Sequence, residues 1–68
     1  MNIITQYVIY QIINNVNNDN KVQIKILYIG YSISDTENRF NTLKEIIPNI
    51  FMDTITNFDS KYSFIQFI

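Results

Sequence analysis

The chain has 68 residues, a net charge of −1, and 47% hydrophobic and 15% aromatic content. At about this length folding buries only roughly 60% of the unfolded surface, which predicts a single small domain over residues 1–68 with a thin core. Having neither Cys nor His, it lacks disulfides, a thiolate nucleophile, zinc sites of the Cys type and the commonest general base.

Residues 3 to 14, IITQYVIYQIIN, are rich in β-branched and aromatic types and contain no Gly or Pro, which predicts a first strand. The Asn- and Asp-rich stretch NNVNNDN then turns the chain. A second strand follows over residues 21 to 31, KVQIKILYIGY, with Val22, Ile24 and Ile26 on one face and Lys21, Gln23 and Lys25 on a solvated one. Two strands joined this way form an antiparallel hairpin. With the turn centred near Asp19, Tyr10 stands opposite Tyr28, and both share the core face with Val8, Ile12, Val22, Ile24 and Ile26. A slip of one residue puts the two tyrosines on opposite faces.

Ser34-Asp35-Thr36-Glu37 has the spacing of a capping box and opens a helix. That helix runs to about Ile47, because Pro48 disfavours helical geometry in the residue before it. Phe40, Leu43, Ile46 and Ile47 form its apolar stripe, with Arg39 at the stripe's edge. Beyond Pro48, Ile50, Phe51, Thr54, Ile55 and Phe58 have helical spacing and predict a second, short helix. The last segment, KYSFIQFI, alternates and predicts a third strand. The expected class is α+β: a three-stranded antiparallel sheet with two helices, in the order β-β-α-α-β.

No apolar run approaches the ~20 residues needed to span a bilayer. The start of the chain, MNIITQYVIYQ, has neither a basic n-region nor a small-residue cleavage site. Both features predict an intracellular protein without a membrane partner. The excess of Ile and Asn with no Ala fits AT-rich coding, from a virus, an AT-rich microbe or an organelle, and carries no function. Five basic residues against six acidic ones predict weak affinity for nucleic acid. A bound metal would be a hard ion on oxygens from Asp19, Asp35, Glu37, Glu45, Asp53 or Asp59.

Val8-Ile9-Tyr10, Tyr28-Ile29-Gly30, then Ser32 and Glu37-Asn38-Arg39-Phe40 give the chain a resemblance to the GIY-YIG nuclease family. Members carry a Gly-Ile-Tyr and a Tyr-Ile-Gly triplet on paired strands and an Arg on the first helix. The resemblance covers most of the chain, from about Tyr7 onward. It implies that Tyr10, Tyr28 and Arg39 gather at a phosphate, one phenol helping to deprotonate water and the guanidinium binding phosphate oxygens bidentately. A phenol of ordinary pKa near 10 needs a nearby cation to serve as a base at neutral pH. Gly30 and Ser32 would border the substrate, and Mg²⁺ would be the cofactor of an active member.

The departures are specific. Val8 replaces the family's first Gly, and Leu43 stands where a His or Tyr commonly follows the Arg by one turn. The family's metal-binding Glu follows the third strand, and no Glu occurs here after Glu45. The resemblance therefore implies a reduced endonuclease-like domain without cleavage, contacting nucleic acid or serving in a larger assembly. Ordinary packing offers a plainer reading: Tyr10 and Tyr28 as cross-strand partners, Arg39 paired with Asp35, Gly30 as a strand end. It leads to a non-enzymatic interaction module, an inhibitor or accessory subunit, with a protein partner or a second copy on apolar strand surface. Tyr7, Ile9 and Ile13 on the first strand's second face would supply part of that surface.

Overall fold

A computed structural model describes residues 4–14 and 23–61. Strand β1 (Tyr7–Asn14) and strand β2 (Gln23–Gly30) pair antiparallel, as the alternation of β-formers predicts. Helix α1 (Ile33–Lys44) follows, then strand β3 (Ile50–Thr54) and helix α2 (Ile55–Lys61). The sheet is three-stranded and antiparallel in the order β2-β1-β3, and with its two helices the domain is of the α+β class.

The third described strand is a different segment from the expected one. The helical spacing of Ile50 to Phe58 predicts one helix, but the first half of this stretch is β3, and only its second half coils. Local spacing cannot separate these options. The unoccupied edge of β1 does, because Tyr7 to Gln11 pair with Thr54 to Ile50. Asn49, with φ of 57°, turns the chain into β3, and its carbonyl accepts from the Ile12 amide at 3.0 Å. Asn tolerates this left-handed geometry better than most residues. At the other end the Thr54 hydroxyl accepts from the Asn57 amide at 3.4 Å and starts α2. Lys61 belongs to α2, while residues 62–68, the rest of the expected terminal strand, lie outside the described residues. Val22 and the Asn-rich turn lie outside them as well. The order among the described residues is β-β-α-β-α.

Pairing assigns the faces. Val8, Tyr10, Ile12, Ile24 and Ile26 face α2 and pack with Ile55 and Phe58. Ile9, paired with Tyr28 on one side and Met52 on the other, faces α1. Adjacent Val8 and Ile9 are both 0% exposed, so β1 is the buried middle strand of three layers. This explains why β1 reads as a nearly continuous apolar run. Ile9 of the strand's second face is therefore covered, whereas Ile13 remains exposed.

Helix α1 begins earlier than the capping-box spacing indicates. Its N-cap is Ser32, whose Oγ accepts from the Asp35 amide at 3.3 Å, and Ser34 lies inside the first turn. The inward stripe is Thr36, fully buried, with half-buried Phe40, Leu43 and Ile47. Ile46, expected in that stripe, is 74% exposed because the helix has ended at Lys44. On the other layer the Asp53 carboxylate bonds Lys61 Nζ at 3.0 Å. Desolvation pushes this carboxyl up, but Lys61, the Thr54 amide and Asn57 outweigh it and hold it below the usual range. No helix among the described residues is long and apolar enough to cross a membrane.

Candidate functional site

The corner between the end of β2 and the start of α1 gathers most of the residues singled out by the sequence. Tyr28 projects from β2 toward α1, and its hydroxyl donates to Asp35 Oδ2 at 2.7 Å. Arg39, one turn beyond Asp35, lays its guanidinium carbon 5.1 Å from the centre of the Tyr28 ring. This is cation–π distance. Among the described residues the ion pair is Lys61–Asp53, so Arg39 meets Tyr28 rather than pairing with Asp35.

Gly30 closes the corner from below. A Cβ at this position would lie 2.6 Å from Thr36 Oγ1 and 2.8 Å from Tyr28 Cε2. Thr36 spends its hydroxyl proton on the Ser32 carbonyl at 2.7 Å. Gly30, Thr36 and Ser32 thus form one packed joint that fixes where α1 leaves the sheet. Ser32 itself caps the helix. Above the joint, Asp35, Asn38, Arg39 and Thr42 line a shallow depression of about 190 Å³.

Tyr10 is not in this corner. The expected register, with Tyr10 opposite Tyr28, is corrected by the strand pairing: Ile9 opposes Tyr28 and Tyr10 opposes Ile26. Leu27 is the extra residue of a β-bulge that displaces the partners of Tyr10, Gln11 and Ile12 by one, and a second irregularity between Ile12 and Asn14 shifts the register back. The bulge lets Ile26 join the α2 core while the Tyr28 hydroxyl reaches a carboxylate. Tyr10 goes to the opposite face, 5% exposed, with its ring centre 4.6 Å from that of Phe58 and 5.7 Å from that of Phe51. Of the three residues expected to gather at one phosphate, the structure brings together Tyr28 and Arg39.

The chemistry of the corner follows from Asp35. Its hydrogen bond, with partial burial and its negative charge, holds the Tyr28 phenol above the ordinary value, and Arg39 opposes this only in part. Tyr28 is a proton donor at neutral pH, and its phenolate forms less readily than that of an ordinary tyrosine. Because the folded-state value is raised, the stability this contact contributes is present at neutral pH and is lost as pH rises through the alkaline range. Asp35→Asn is expected to shift the Tyr28 titration downward, followed through its Cζ resonance; an unchanged or higher midpoint would contradict the assignment.

A divalent ion does not fit these residues. Among the described residues Asp35 is the one carboxylate lining the depression, it already accepts the Tyr28 hydroxyl, and a guanidinium stands beside it. Among the described residues no three acidic side chains come together to hold a metal.

Sequence reasoning overlooked Asp35 and Thr36 as parts of the site. In the sequence Asp35 stands as a candidate metal ligand and as a partner for Arg39 one turn on, not as a partner for Tyr28. Its i, i+4 spacing to Arg39 was the available signal that both share one face. Thr36 stands four residues before Phe40 and seven before Leu43, so helical period alone puts it inward. Compared with protein-family models, curated proteins and solved structures, the chain has no match in any of the three.

Proposed function

We propose that this chain is a reduced GIY-YIG-like domain that no longer cuts nucleic acid and works by contact, as a small subunit of a protein assembly. The observation that carries the reading is the Leu27 bulge, which separates Tyr10 from Tyr28 and Arg39. A two-phenol, one-guanidinium phosphate site requires the three on one side of the sheet. Tyr10 instead serves the core, and Tyr28 has its proton engaged by Asp35.

Protein contact is favoured over nucleic-acid contact by charge and by surface. With five Lys and Arg against six acidic residues, the chain can neutralise few phosphates and so releases few counterions from a nucleic-acid backbone. Ile29 at 42% exposure, Tyr31 at 64% and Ile33 at 45% follow one another across the end of β2 and the start of α1. Strands β2 and β3 are the outer strands of the described sheet, where edges invite pairing with another chain.

Two measurements test the reading. Supercoiled plasmid incubated with Mg²⁺ or Mn²⁺ is expected to stay intact, and sedimentation is expected to give a mass above the 8.1 kDa of one chain. Nicking that disappears in Tyr28→Phe and Arg39→Ala would restore the nuclease reading. A monomer at every concentration that also binds DNA with a steep salt dependence would favour nucleic-acid contact instead.

A further inference from the structure

We infer that Asp35 is the specificity-determining residue of the β2–α1 corner, its carboxylate keeping the corner closed to phosphate and other anions. Tyr28 and Arg39 are the donors an incoming phosphate oxygen would need. The Tyr28 proton is already given to Asp35 Oδ2 at 2.7 Å. Arg39 shares its depression with that carboxylate, so an approaching anion meets a negative charge of its own sign beside the positive one.

The other lining residues do not redress the balance. The Thr42 hydroxyl donates to the Asn38 carbonyl at 3.0 Å and has no proton left to offer outward. The Asn38 side-chain amide is neutral. The depression therefore holds one acid and one base, and it suits neutral groups, above all amides that can donate to Asp35 and accept from Arg39. Removing the Asp35 charge frees both the Tyr28 hydroxyl and the Arg39 guanidinium to face a single anion.

This inference stands apart from the protein-contact reading. A phosphate titration reads the corner alone, while chain mass and plasmid nicking read assembly and cleavage. The experiment is a titration of inorganic phosphate at low ionic strength into the wild type, Asp35→Asn, Arg39→Gln and the double variant. The Tyr28 amide resonance reports binding in all four, and a circular-dichroism spectrum verifies each fold. Asp35→Ser removes the same charge and keeps a small polar residue in the first helical turn, should the Asn variant fold poorly. Asp35→Asn is expected to raise phosphate affinity about fivefold to tenfold, and the gain is expected to vanish once Arg39→Gln is added. Equal affinities in the wild type and Asp35→Asn overturn the inference, as does a gain that survives Arg39→Gln.

Discussion

Phe58→Ala is expected to lower the stability of the domain by about 3–5 kcal/mol, close to the limit of what so small a fold sustains. Phe58 is 0% exposed and is the residue by which α2 reaches the sheet, packed with Val8 and Tyr10. Its ring meets Tyr10 at 4.6 Å between centres, tilted by 51°, a favourable aromatic geometry. Truncation deletes that contact and leaves a cavity under a seven-residue helix. So short a helix has little stability of its own, so α2 is expected to detach rather than settle inward. In thermal unfolding the midpoint should fall by about 12 °C or more, scaling from the roughly 4 °C per kcal/mol found at this size. Phe51→Ala is the control, since Phe51 is 45% exposed on the same face and has far less to lose. Equal losses at the two positions would mean that α2 is not the second wall of the core.

Gly30→Ala is the second large effect, and its cause is space rather than dihedral strain. No positive φ is found at Gly30, so the backbone accepts an L residue without penalty. The obstacle is the buried joint, where a new methyl group meets Thr36 Oγ1 at 2.6 Å and the Tyr28 ring at 2.8 Å. Overpacking of this kind costs about 1–3 kcal/mol. Thr36 is fully buried in the first turns of α1, so it yields only if the helix start moves. The prediction has an internal test: Gly30→Ala combined with Thr36→Ala is expected to lose less than the sum of the single losses, because the second change removes the atom that the first collides with. Strict additivity in urea unfolding would show that the two residues do not share one contact. In the single variant the Tyr28–Asp35 hydrogen bond is expected to lengthen as well, lowering the Tyr28 titration.

Both effects rest on contacts that separate what could be read along the chain from what could not. The first two strands and their antiparallel pairing follow from β-branched and aromatic runs on either side of an Asn-rich stretch. Helix α1 follows from its period, although it ends at Lys44, short of the boundary near Ile47 that Pro48 suggests. Tyr28 and Arg39 were expected to meet, and they do, because Arg39 belongs to the helix that begins three residues after Gly30. The cap was misplaced by two residues because Ser32 and Ser34 are chemically equivalent candidates, and only the entry angle of α1, fixed by the Gly30–Thr36 contact, selects the first. Asp35 is legible in the sequence as a partner for Arg39 on its own helix, whereas its actual partner, Tyr28, comes from the neighbouring strand.

The sequence by itself determined the α+β class, the hairpin, α1 and the exclusion of thiol and imidazole chemistry, because these depend on local periodicity and on which side chains exist. Tertiary structure alone decided two things. It made Ile50–Thr54 a strand, since these residues pair with the backbone groups along the second edge of β1, which would otherwise lack partners. It also placed a bulge at Leu27 and so sent Tyr10 and Tyr28 to opposite faces. A strand's pattern has a period of two residues and records alternation without recording where alternation slips. The slip is set by which register lets Ile26 enter the α2 core while the Tyr28 hydroxyl keeps a carboxylate partner, a choice made between layers and not along the chain.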